Sequence, residues 1–269
     1  MRFWSGFVGV LLLLTAPAKA AGDLHIVDLT DEFDRFVMAT ADMPDAQRVR
    51  AFEKQIGPIA DGFYARDRNP DGYDFRVLLQ LKTYPQRRNA TLTVSRRFEE
   101  LFKPARQSFE AVFGPVSSRQ PVFLLDSMGE LDGGTRPLNG GSTLLFGADV
   151  IAEVHSGKDM KAFFYHELFH LYRQSMDTDC AAIWCSLWEE GLATYVSSRL
   201  DPAASDDELV LNLPKPIRPE VEANRGGAIC EVVRRPESTA GRDFSVLFQG
   251  DDNLPGFPSR MGYYIGYLV

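Results

Sequence analysis

The chain has 269 residues, 45% hydrophobic and 25% charged, with a formal net charge of −8. That is an ordinary globular composition with ample material for a core. The acidic balance speaks against nucleic acid as a partner, because the basic pairs Arg87-Arg88, Arg96-Arg97 and Arg234-Arg235 are scattered and read as solvated faces.

The N-terminus reads as a secretory signal peptide over residues 1–20. Arg2 supplies the positive start, FVGVLLLLTA the apolar core, and Ala18-Lys19-Ala20 the small-x-small site before Ala21. The apolar run is shorter than the ~20 residues of a membrane span, and no later run approaches that length. The expected product is residues 21–269, exported, periplasmic in a bacterium, and without a stable membrane span. Loss of Arg2 and Lys19 takes the net charge from −8 to about −10. Three cysteines, Cys180, Cys185 and Cys230, then imply one disulfide and one leftover thiol, with three possible pairings. Cys180 and Cys185 flank a short loop and are the expected pair.

Residues 28–113 read as mostly helical, with apolar residues at helical spacing over 46–56 and 95–113. Gly57-Pro58 and Asn69-Pro70-Asp71-Gly72 interrupt them. PVFLLD (121–126) and STLLFGADVI (142–151) read as strands. Gly133-Gly134 and Asn139-Gly140-Gly141 make the segment between them a turn-rich connection. Residues 156–200 read as two helices joined by a loop. Residues 202–260, rich in Pro and Gly, read as irregular with short strands or helices. The predicted class is α+β in a single domain over 21–269: a helical part over 21–115, then a small sheet and a helical pair over 116–269.

The chemistry sits in FFYHELFHLYRQ, residues 163–174. Ser156 followed by Asp159 is a capping box, placing the helix start there. His166 and His170 are four apart and share one face, so two imidazoles can reach one ion. Glu167 lies ~100° round the helix and can lean over that ion without binding it. Two fixed nitrogens, an open position and a nearby carboxylate are what metal-assisted hydrolysis needs. Position 176 is Met, which removes a third histidine at the spacing of HExxHxxGxxH. His155 precedes the cap and reads as structural, and His25 has no supporting context. Downstream, SLWEEGLATYVSSRL (186–200) reads as a buried helix ending at Asp201-Pro202. Its adjacent Glu189 and Glu190 are costly in such a helix unless one is exposed and the other paired or metal-bound. Gly191 predicts close packing against a neighbouring helix, with the HELFH helix as the expected neighbour. The result is a His₂Glu set, an established donor combination for catalytic zinc.

HELFH followed by LWEEGLATY resembles the gluzincin metallopeptidases, especially the aminopeptidase-like branch. Alignment on EGLA maps that branch's third ligand onto Glu190. The intervening segment, 171–189, is one residue longer than usual in the branch, so Glu189 stands as a rival. No Gly-x-Met-Glu-Asn motif is present, so aminopeptidase activity is not implied. AFEKQIGPIADGFYA, NGGSTLLFGADVIA, HELFHLYRQ, EEGLATY and MGYYIGYLV together resemble bacterial predicted zinc-dependent proteases of unknown substrate. The resemblance implies a zincin-like fold, one Zn²⁺ held by His166, His170 and Glu190, and Glu167 as general base.

STLLFGADVI, just before the metal helix, then reads either as a cleft-bordering strand that pairs with extended substrate or as a buried core strand. Tyr263, Tyr264 and Tyr267 are candidate oxyanion or substrate contacts, with core packing as the competing reading. Glu189 is a further candidate substrate contact. The sequence thus predicts an exported zinc peptidase acting on polypeptide, with an endopeptidase favoured for want of exopeptidase features. The alternatives are an envelope binding or assembly protein with a structural zinc and a zinc amidase acting on cell-wall peptides.

Overall fold

The structure, a computed structural model, describes residues 24–118, 120–174, 180–249 and 254–269; the leader lies outside the described residues. In chain order, β1 (Ile26–Asp28) is followed by α1 (Thr30–Ala39), α2 (Asp45–Gln55), the single turn α3 (Ile59–Gly62) and the long α4 (Tyr73–Phe113). Then come β2 (Val122–Leu125), β3 (Gly133–Leu138), β4 (Gly141–Gly147), α5 (Ala148–Val154), α6 (Lys161–Gln174) and α7 (Ile183–Leu200). The chain closes with α8 (Ile217–Ala223), α9 (Arg225–Val233), α10 (Gly241–Phe244) and α11 (Met261–Leu268). The class is α+β, as the sequence predicts. Among the described residues no helix is long and apolar enough to cross a membrane.

The sheet order is β1-β2-β4-β3, with β1, β2 and β4 parallel and β3 antiparallel at the edge. Because strand side chains alternate, each strand feeds two cores. Val122, Leu124, Leu144 and Phe146 meet Phe98, Phe102 and Phe109 of α4 and Phe163, Phe164 and Leu168 of α6. Phe123, Leu125 and Leu145 meet Phe33, Phe52, Tyr64 and Tyr84 on the other side. The two halves of α4 therefore serve different cores. A third cluster joins Ile183 of α7 to Ile217, Val221, Met261 and Ile265 of the C-terminal helices.

Four local readings are corrected. The segment 133–141 is not merely a connection: Gly133–Leu138 is strand β3. Two glycines and a proline hide it, since all three depress strand propensity, yet an edge strand tolerates them. The predicted strand 142–151 stops at Gly147, where α5 begins. A Cβ on Gly147 would lie 1.9 Å from the Leu131 carbonyl oxygen, so the chain must turn there without a side chain. That strand is also not the border of a cleft, because β4 is paired on both sides. Finally, α6 starts at Lys161, not Ser156; the Asp159 carboxylate accepts the Lys161 N–H at 2.9 Å.

The C-terminal region is helical where short strands were also allowed, and its last helix has a specific seat. A Cβ on Gly191 would lie 2.2 Å from the backbone carbon of Gly266, and one on Gly266 would lie 2.3 Å from the Leu187 carbonyl oxygen. Gly191 thus admits α11, not α6 as expected. Gly191→Ala and Gly266→Ala should each destabilise by roughly 1–3 kcal/mol through overpacking. A thermal melt should show midpoints several degrees lower, at about 2–4 °C per kcal/mol for a chain this size. Unchanged midpoints would mean that the two helices do not meet backbone to backbone.

Candidate metal centre

Helix α6 is buried along almost its whole length. Its apolar residues enter the phenylalanine-rich core, while His166 and Glu167 are only 8% and 6% exposed. Helix α7 brings Glu190 against them. The Nε2 atoms of His166 and His170 are 3.0 Å apart, and Glu190 Oε2 lies 3.1 Å from the first and 3.4 Å from the second. One donor atom from each residue falls within 4.8 Å of the others, so the three form a possible metal-binding triad. Two imidazole nitrogens and one carboxylate oxygen converging in this way match the donors of an open zinc site.

The adjacent glutamates are separated as helical geometry requires. Glu190 faces the histidines; Glu189 is half-buried and outside the triad, acting on His170 only through its charge. Burial works against a charged His170, but Glu190 outweighs it and lifts the ring to about 9. His166 is held below its usual value by burial, with Glu190 opposing. Burial also disfavours the Glu190 carboxylate, yet the two histidines keep it well below the usual range. Together these groups are an anion clasped by nitrogen donors, the charge pattern that a cation can replace.

Glu167 behaves differently. Its Oε2 is buried with no hydrogen-bond partner among the described residues. Burial pushes the carboxyl up to about 8; His170 opposes, while Asp132 and Glu190 reinforce. It is a proton-holding group beside the triad, outside the ligand set.

Strand β3 lies directly on this helix. A Cβ on Gly133 would fall 2.7 Å from the Phe163 ring and 2.9 Å from the Glu167 carboxyl carbon. Two buried groups fix the strand's start. Asp149, in the first turn of α5, accepts the Ser127 and Gly129 N–H groups at 2.7 Å each. His155 Nε2 lies 3.0 Å from Asp132 Oδ2, so His155 is the structural residue the sequence implies. His25 is exposed beside β1, outside the triad.

The three tyrosines part company. Tyr263 stacks on His166, ring centroids 6.0 Å apart, and Arg260 covers its other neighbourhood at 4.6 Å from the ring centre. Burial drives the Tyr263 phenol well above its usual value, so it stays protonated. Tyr264 instead donates to Glu222 at 2.6 Å, and Tyr267 packs on Tyr195 and Tyr264. Neither is brought to the triad. Asp132 and Arg260 are not singled out from sequence, and Gly133 reads only as part of a turn-rich connection.

The Cys180–Cys185 disulfide closes the approach to α7, and Cys230 is free and exposed. The chain matches no protein-family model, no curated protein and no solved structure significantly.

Glu190→Gln should weaken metal binding by more than roughly 100-fold, beyond the 10–100-fold cost of losing an outer partner of a ligand. Glu189→Gln should leave it nearly unchanged. Zinc titration of both purified variants checks this, and the opposite pattern would transfer the ligand role to Glu189.

Proposed function

We propose that the protein is an exported zinc peptidase of gluzincin type. The observation that carries the reading is the pairing of a His₂Glu donor set with a buried, unpartnered carboxylate beside it. A zinc kept only for structure has no use for Glu167, which disfavours the structural-zinc alternative. Export rests on the leader sequence, and a disulfide fits an oxidising compartment.

His166, His170 and Glu190 would hold the ion. Bound there, zinc supplies a Lewis acid that polarises a carbonyl and makes water more acidic. Glu167 takes the proton of the attacking water and delivers it to the leaving amine, so proton and bond changes balance across one hydrolysis. Burial raises its proton affinity, and the charge of a bound cation would pull it down again, leaving the carboxylate able to accept that proton. Tyr263, protonated and stacked on a ligand, is the donor for the developing oxyanion. As the edge strand of the sheet, β3 is placed to offer main-chain groups to an extended peptide without demanding its sequence.

Glu167→Gln should fold, keep zinc and lose turnover by roughly 10²–10⁴-fold, the usual worth of a positioned general base. Activity is read on an unstructured protein, with a chelator abolishing it in the wild type. Full activity of the variant would refute the mechanism. Tyr263→Phe should cost roughly ten- to a hundredfold in turnover, at the lower end of lost oxyanion donors, with zinc content unchanged. Phe at Tyr264 or Tyr267 should leave turnover near normal; a loss there with none at Tyr263 would reassign the donor.

A further inference from the structure

Arg260 is a cation that the proposed mechanism leaves unused. It sits immediately before α11, with φ 62° and ψ 18°. A non-glycine residue in that left-handed region is uncommon, and such strain persists where the surroundings fix a side chain for a purpose. The side chain is turned inward. Its guanidinium lies 4.6 Å from the centre of the Tyr263 ring. Asp132 and Glu190 act on it through their charge, yet no carboxylate hydrogen-bonds it among the described residues. Arg136, which acts on Glu167 through its charge, is by contrast ion-paired with Glu130.

A half-buried guanidinium that rests on an aromatic ring and forms no ion pair among the described residues keeps its fork available to an arriving anion. The surrounding acids cannot serve. Glu190 belongs to the triad, Asp132 is engaged by His155, and Glu167 is packed under Gly133. Among the described residues no acid pairs with Arg260, which leaves its fork open to an anion of the bound molecule. We propose that Arg260 recognises a carboxylate of the peptide close to the scissile bond.

Reach supports this. Tyr263 stacks on His166 at 6.0 Å and Arg260 on Tyr263 at 4.6 Å, so the guanidinium carbon is at most about 11 Å from the His166 ring. An extended chain advances ~3.3–3.6 Å per residue, which puts the carboxylate within about three residues of the cleaved bond. The planar fork of arginine matches a carboxylate in two parallel hydrogen bonds. Two sources share that chemistry: the free C-terminus of a short peptide, and an Asp or Glu side chain in a longer one.

The identity of the substrate as a peptide rests on the peptidase reading; the opening of the Arg260 fork to an anion does not. The test uses zinc-loaded wild type, Arg260→Gln and Arg260→Lys with two pairs of unstructured peptides. One pair differs by a free or amidated C-terminus, the other by Glu or Gln near the cleavage site in an amidated chain. The wild type should favour the acid member of one pair by roughly ten- to a hundredfold in kcat/KM, the worth of a charge-assisted pair. Arg260→Gln should bring that ratio to about one, Arg260→Lys should keep part of it, and zinc content should stay constant. The C-terminal pair responding assigns a carboxypeptidase-like preference; the internal pair assigns acidic-residue specificity. Calorimetry with Glu167→Gln, with and without Arg260→Gln, reads the same preference in binding. If zinc or turnover is missing while acid-selective binding still depends on Arg260, the peptidase reading fails and the anion site stands. An unchanged acid preference in Arg260→Gln, or none in the wild type by either readout, overturns the proposal.

Discussion

The structure depends on keeping three ionisable groups of one helix, and a carboxylate from the next, inside a largely apolar interior. An isolated charge in such a place costs several kcal/mol even after relaxation. Here Glu190 and two imidazoles offset one another at 3.0–3.4 Å, so the cluster carries its own compensation. On the opposite face of α6, Phe164 is sunk among Phe98, Phe102 and Phe146, whose edge contacts anchor the helix. At roughly 1.5–3 kcal/mol per large buried apolar side chain, that anchorage outweighs the cost of Glu167, the acid of this cluster that has a buried oxygen without a partner among the described residues.

Much of this was legible in the sequence because it rests on short-range periodicity. The i, i+4 histidines, the helical spacing over 46–56 and the end of α7 at Asp201 follow from residues close in the chain. The choice between Glu189 and Glu190 needed a partner helix, and the EGLA alignment supplied a surrogate for it. What stayed hidden depends on long-range contact. GGTRPL becomes a strand only because Thr143, Leu144 and Leu145 offer it a ladder. Tyr263, Tyr264 and Tyr267 look equivalent until Arg218 and Glu222 draw Tyr264 away. Arg260 gave no signal at all, being a lone arginine in an irregular stretch.

Glycine does two different jobs around the centre. At Gly133 the missing side chain lets an edge strand rest on Glu167, sheltering the carboxyl from water and from other partners. At Gly191 and Gly266 it lets two helices touch backbone to backbone, and that contact fixes Tyr263, nearly one turn before Gly266, above His166. Larger residues at either place would leave the donor triad in being but shift what stands beside it.

The ligands and their surroundings are thus specified by separate parts of the chain. His166, His170 and Glu190 come from two sequential helices, the second with its entry stapled by the Cys180–Cys185 bridge. The groups proposed to meet a substrate come from elsewhere: β3 precedes those helices, and Arg260 and Tyr263 follow them. Affinity for the ion should therefore follow the α6–α7 pair, while rate and selectivity follow how firmly β3 and α11 are docked. Strain at Arg260 has a place in that division. A left-handed residue costs ~1–2 kcal/mol and would relax in a free tail, so its inward side chain exists only while α11 is seated against Gly191.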